Sequence, residues 1–168
     1  AMNNLRHNEL PAAKRGCPKI YVEDNVDPER MQALLDVIDL KTAYFNVVTK
    51  SGETSETLSQ FLIIYDLLKR ELGAEEAKKH IVVTTTIGKG TLYNVAAKEG
   101  FKIYGVGAGV GGRFSVLCPV GLITFAVMGL DIKAMLKGAR ALSDASAIAD
   151  VRKNPALLTA FLQCEAMK

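Results

Sequence analysis

The chain has 168 residues, a net charge of +3, 49% hydrophobic and 23% charged residues, and no tryptophan. That is enough chain for one domain with a sizeable core, in an ordinary globular composition. The positive excess is small and scattered among acidic residues, which argues against a nucleic-acid surface, and the longest apolar stretch, 116–130, is too short and too interrupted by Pro119, Gly121 and Thr124 to span a bilayer, so it reads as a buried helix.

Residues 3–18 are polar and basic and read as a ragged helical end followed by a loop from Pro11 to Pro18. Residues 19–23, Lys-Ile-Tyr-Val-Glu, read as a short strand. Asp27 and Pro28 then open a helix, Asp27 as N-cap and Pro28 at the first helical position, with Met31, Leu34, Leu35 and Ile38 on its buried face. A second strand covers 43–48, and the helix after it buries Leu58, Phe61, Leu62, Tyr65, Leu68 and Leu72 until Gly73 stops it. A short charged helix at 74–79 precedes a third strand at 80–85. A turn with Gly88 and Gly90 leads to a helix at 91–99, closed by Gly100, and a fourth strand follows at 101–106. Three helices are expected after it: an apolar one at 119–128, one capped by Asp131 over 132–142, and one opened by Asn154 and Pro155 that runs to about Met167. The organisation is thus a single domain over 1–168, with an α/β core at 19–130 and C-terminal helices at 131–168. Nearly continuous apolar strands alternating with helices predict a parallel sheet covered on both faces, with function at the carboxyl ends of the strands.

The most informative stretch is the turn at 49–57, Thr-Lys-Ser-Gly-Glu-Thr-Ser-Glu-Thr, between a strand and a helix. The first N–H groups of a helix lack internal partners and its dipole makes that end positive. The hydroxyls of Thr49, Ser51, Thr54, Ser55 and Thr57 and the ammonium of Lys50 add donors, and Gly52 lets the backbone come close. Plain N-capping explains one hydroxyl; a phosphate site explains several. Glu53 and Glu56 are anomalous there, since their charge repels an anion unless they point to solvent or take part in proton transfer.

Gly107 to Gly112 contains a formal G-x-G-x-x-G, but it follows the last strand and residues 113–118 separate it from the next helix, so it does not read as a dinucleotide site. Gly88-Lys89 is not a P-loop, because Val83 stands where the leading glycine belongs. Arg113 directly follows Gly111 and Gly112 at the functional end of the sheet; its forked cation suits a phosphate or an enolate oxygen, or a structural ion pair. His7 and His80 read as structural. Cys17, Cys118 and Cys164 show neither metal spacing nor a disulfide framework and read as reduced thiols in a cytosolic compartment; no signal peptide is read.

Residues 47–57, with Val47 and Val48 leading into the turn, resemble the sugar-phosphate-binding turn of the glucose-6-phosphate isomerase family. Residues 110–122, Val-Gly-Gly-Arg-Phe-Ser-Val-Leu-Cys-Pro-Val-Gly-Leu, are similar to that family's second signature, and the likeness runs from about Leu5 to the C-terminus, including 24–29. The resemblance implies a sugar isomerase (SIS) domain, a flavodoxin-like three-layer α/β/α sandwich. It implies that Thr49, Lys50, Ser51, Thr54 and Thr57 hold the substrate phosphate. Gly112 and Arg113 would lie against the reacting carbons, with Arg113 stabilising an enediolate, and Glu56 would stand near the active site. The implied reaction interconverts glucose 6-phosphate and fructose 6-phosphate in the cytoplasm, within glycolysis and gluconeogenesis, by proton transfer between C1 and C2 with no metal and no redox cofactor.

The departures from that family are equally specific. Its first strand and Gly-Gly-Ser turn would precede Asn3, and its second SIS domain, carrying the glutamate base and the ring-opening histidine, would follow Lys168. Thr86 stands where the family often has Asp, Cys118 replaces a usual Ser, and Gly107-Ala108-Gly109 replaces a more polar stretch. The expectation is a sugar-phosphate-binding domain inactive by itself, with hexose 6-phosphate as ligand. The alternative is a free-standing SIS module that senses a phosphosugar without chemistry. A missing central strand would leave a gap between 19–23 and 43–48, which predicts a homodimer or a swapped assembly.

Overall fold

The computed structural model describes residues 6–168; residues 3–5 of the N-terminal segment lie outside them. The described chain begins with a 3-10 turn, His7–Glu9, and a short helix α1, Ala12–Arg15, inside the stretch expected to be loop. It continues through α2 (Pro28–Leu35), β1 (Phe45–Val48), α3 (Ser55–Leu72), α4 (Ala74–Lys79), β2 (Ile81–Thr86), α5 (Thr91–Glu99) and β3 (Lys102–Val106). A 3-10 turn, Gly112–Phe114, then leads to α6 (Pro119–Val127), α7 (Ile132–Ser146) and α8 (Pro155–Ala166).

The strands form one parallel sheet in the order β1-β2-β3. Val47 pairs with Val83, and Val83 with Ile103. Sequential strands joined by helices give the α/β class expected from the sequence. The alternation of the strands sends Val47, Ile81 and Val83 to one face. There they meet Phe61, Ile64, Tyr65 and Leu68 of α3, Leu92 and Ala96 of α5, and Phe101. Both crossover helices therefore cover the same face, as crossovers of one hand between sequential strands require. Leu68, Ile81, Leu92 and Val83 are fully buried, each worth about 1.5–3 kcal/mol of transfer free energy. Phe61 and Tyr65 stack on each other, and both meet Phe101 edge to face, with centroids 6.0 and 5.2 Å from it.

Leu62, expected on the buried face of α3, is exposed, and Ile64 is buried in that helix instead. Two larger expectations are also corrected. Residues 19–23 do not form a strand. Side chains bond part of their backbone instead: the Asn8 amide donates to the Ile20 carbonyl at 2.7 Å and accepts from the Ile20 N–H at 2.9 Å. Arg30 Nη2 donates to the Val22 carbonyl at 2.6 Å, and Arg30 pairs with Glu23 at 2.7 Å. A segment whose hydrogen bonds are met this way needs no neighbouring strand. The sheet thus has three strands among the described residues rather than four, and β1 is an edge, so the anticipated gap does not arise within it. The second correction concerns α6, expected to be buried. It packs against β3, but none of its residues is fully buried and Val127 is exposed.

The caps agree with the sequence. Asp27 accepts from the N–H groups of Glu29 and Arg30, Asp131 from Ala134, and Asn154 from Leu157.

Candidate functional site

The carboxyl end of β1 runs directly into the hydroxyl-rich turn. The ladder continues one step past the strand on each side, with the Thr49 N–H donating to Thr84 O at 3.1 Å and the Thr86 N–H to Lys50 O at 3.3 Å. The Thr85 hydroxyl donates to the Thr49 carbonyl at 2.6 Å. Thr49 is buried while Ser51 and Thr54 are exposed, so the turn rises from the core to the surface within a few residues.

Thr49, Ser51 and Thr54 gather their hydroxyls into a triangle. Thr49 Oγ1 lies 2.7 Å from Thr54 Oγ1 and 3.4 Å from Ser51 Oγ, and Ser51 Oγ lies 3.4 Å from Thr54 Oγ1. Ser51 Oγ also accepts from the Glu53 N–H at 3.1 Å, which fixes the turn. Thr54 is the N-cap residue of α3, yet its side chain makes no capping hydrogen bond. Capping therefore does not account for the Thr54 hydroxyl.

A cavity of about 280 Å³ opens at Ser51, one corner of this triangle, and is lined by Lys50, Ser51, Thr86, Lys89 and Ala108; Thr49 and Thr54 are not among its lining residues. Lys50 and Ser51 were singled out in the sequence. Thr86, Lys89 and Ala108 were not placed in a site, although all three lie at or just beyond the carboxyl ends of β2 and β3, where parallel sheets carry ligands. Thr57 sits in the first turn of α3 and does not line the cavity.

Arg113 and Gly112 form the exposed 3-10 turn after β3 and are not among the cavity-lining residues. That turn is pinned from below: the Ser115 hydroxyl donates to Gly112 O at 2.6 Å, and the Cys118 thiol donates to Ser115 O at 2.9 Å. Cys118 is the N-cap residue of α6 and makes no capping bond with its side chain.

The two anomalous glutamates are both accounted for locally. Glu53 turns to the N-terminus of α5, accepting from the Thr91 N–H at 2.7 Å and from the Thr91 hydroxyl at 2.9 and 3.1 Å. Glu56 folds back on the first turn of α3. Its own N–H, and then the Ser55 hydroxyl at 3.0 Å, hold its carboxyl below the usual carboxylate range. A carboxylate stabilised as the anion is a weaker proton acceptor than an ordinary one. Neither histidine is near the triangle in its bonding: His80 is buried, with Nδ1 2.7 Å from Ala43 O, and His7 contacts Pro18 O at 3.1 Å. No cluster of histidine, cysteine and carboxylate side chains suited to a metal is present among the described residues, and none of their helices is long and apolar enough to cross a membrane.

The profile of the phosphoglucose isomerase family matches residues 4–167. A glucose-6-phosphate isomerase of Carboxydothermus hydrogenoformans is 48% identical over 162 residues, covering 96% of this chain and 35% of that protein. One from Bacillus thuringiensis is 40% identical over 156 residues, again covering 35% of the relative. Among solved structures, a hypothetical protein from Thermus thermophilus superposes with a TM-score of 0.79 at 40% identity, over 83% of this chain and 33% of that one. A glucose-6-phosphate isomerase from Chlamydia trachomatis superposes with a TM-score of 0.70 at 27% identity, over 83% of this chain and 26% of that one. The 168 residues thus span about a third of the length of the relatives they match. By sequence profile, identity and fold together, this chain belongs to the phosphoglucose isomerase family.

Proposed function

We propose that the turn at residues 49–57 holds the phosphoryl group of a hexose 6-phosphate. In this reading the chain is the phosphate-binding part of an enzyme that interconverts glucose 6-phosphate and fructose 6-phosphate. One observation carries it: three hydroxyls converge within 3.4 Å at the end of a parallel strand, and the one on the N-cap residue does not cap its helix. One of them, Ser51, lines a cavity together with Lys50 and Lys89. Hydroxyl donors and an ammonium group suit a phosphate monoester, which carries between one and two negative charges near neutral pH.

In this reading Thr49, Lys50, Ser51, Thr54 and Thr57 contact the phosphate, and Gly112 and Arg113 lie toward the reacting carbons. The isomerisation removes the proton from C2 of the open-chain aldose and returns a proton to C1, through an enediol. The carbon skeleton is internally oxidised and reduced, with no net electron change. Arg113 stabilises the negative oxygen of the intermediate. Glu56, held as an anion at the start of α3, is a poor candidate for the base, and none of the described histidines or glutamates is assigned that role. The surrounding cell compartment in this reading is the cytoplasm. The exposed edges of a short sheet favour a homodimer or a swapped assembly, and a strictly monomeric sedimentation profile at high concentration overturns that part.

The test is Ser51→Ala combined with Thr54→Ala, with glucose 6-phosphate binding followed by calorimetry. Each hydrogen bond to a charged group is worth about 1.5–3 kcal/mol, so the double variant loses affinity by well over tenfold. Unchanged affinity overturns the phosphate assignment. The exposed Arg113, outside the cavity lining, favours a second reading, a module that binds a phosphosugar without chemistry. Isomerase turnover by the protein with its natural flanking sequence, abolished by Arg113→Ala, rules that reading out.

A further inference from the structure

We infer that the phosphoryl group is gripped by two successive turns, with Lys89 as a second cation and Glu53 as the residue that positions it. This rests on the phosphate reading above and extends it to the turn between β2 and α5.

Lys89 lines the same cavity as Lys50, Ser51 and Thr86. It makes no ion pair or hydrogen bond to a carboxylate among the described residues, and neither does Lys50. Two ammonium groups on one small cavity repel each other, and a dianion between them turns that repulsion into attraction. One cation on one turn serves a singly charged ligand; two on facing turns suit a phosphate monoester better.

The facing turns are bolted together at three points. Both Glu53 oxygens hold Thr91, through its N–H at 2.7 Å and its hydroxyl at 2.9 and 3.1 Å. The Leu92 N–H donates to Gly52 O at 3.0 Å. Gly90 lies so close that a Cβ placed on it would stand 2.4 Å from the Ser51 carbonyl oxygen and 2.7 Å from Gly52 Cα. Lys89 is the residue immediately before Gly90, so its backbone is fixed relative to Ser51. The positive end of α5 offsets the Glu53 charge, which is why a carboxylate can stand next to an anion site without opposing it. Glu53 thus acts through the turn that carries Lys89 and has no contact with the ligand itself.

The experiment is a double-mutant cycle on glucose 6-phosphate affinity, in the protein with its natural flanking sequence. Lys89→Gln removes an exposed ammonium and no packing, so the fold is not at risk. It weakens affinity about tenfold, the order of one charge-assisted contact, and Lys89→Arg restores most of it. Glu53→Ala also weakens affinity, and in that background Lys89→Gln costs less than about twofold, because the two residues act as a unit. A merely structural Glu53 would leave the Lys89 effect intact, and that result overturns its positioning role. Lys89→Gln within twofold of the parent, while the Ser51 and Thr54 double variant is weakened, overturns the second cation and leaves the proposed function standing. If neither Lys89→Gln nor that double variant weakens binding, the phosphate reading of the first turn has failed as well.

Discussion

The fully buried Thr85 hydroxyl donates to the Thr49 carbonyl at 2.6 Å, tying the middle of the sheet to the first residue of the hydroxyl cluster. Thr85→Val keeps the shape and removes the donor, leaving the Thr49 carbonyl short of a partner in a water-free place. That costs about 1–3 kcal/mol, read as a lower urea midpoint with an unchanged slope. The same variant weakens phosphate-ligand binding, since Thr49 carries one corner of the triangle.

Gly90 has φ +85° and its missing Cβ faces backbone atoms of Ser51 and Gly52. Gly90→Ala therefore combines left-handed backbone strain with a clash that no side-chain rotation relieves, each about 1–3 kcal/mol. Gly88→Ala is the matched control: φ is +74° there as well, but nothing lies within 4 Å of the added carbon. Thermal unfolding of the two variants should show the larger loss for Gly90→Ala, and only that variant should weaken ligand binding strongly. Equal losses would show that the two turns do not press on each other.

Tyr65 sits in the core and donates to Glu99 at 2.6 Å. Burial, and then the Glu99 carboxylate, push its phenol up to about 12 from 10.0. Deprotonation is thus harder in the folded chain than in the unfolded one. The stability that follows is fully present below pH 10 and is lost as the pH rises toward 12. Tyr65→Phe lowers stability at neutral pH by about 1.5–3 kcal/mol, the worth of a hydrogen bond to a charged group, and flattens the alkaline fall. Denaturant unfolding between pH 7 and 12, with ultraviolet titration of the late tyrosine, checks both parts.

The 168 residues expressed alone should bind hexose 6-phosphate and show little or no isomerase turnover. Lack of a positioned general base typically costs about 10²–10⁴-fold. A coupled assay for fructose 6-phosphate formation decides it; robust turnover would place the base within this chain.

Local features were legible in the sequence. Asp27, Asp131 and Asn154 all cap as expected, because a cap needs only the next few residues. The strand expected at 19–23 failed for the opposite reason. Its apolar run Ile-Tyr-Val fits a strand, but whether that backbone pairs with a strand or with the Asn8 amide depends on residues outside the window. The uniformly apolar α6 carries no polar face, so the sequence could not say how much of it meets solvent. The hydroxyls of the site were visible because they are contiguous. Thr86, Lys89 and Ala108 were not, because they come from the end of β2 and from two later turns that only the sheet order brings alongside.

The bond between Glu53 and Thr91 spans 38 positions of sequence. The cradle is therefore shared between two consecutive strand–helix units and belongs to neither. Its closing entropy must be met before its contacts form, so the two-turn cradle is complete only once α5 has docked and the Leu92 N–H has reached Gly52. Ligand capture during refolding would then report the docking of α5 and lag the appearance of helical structure.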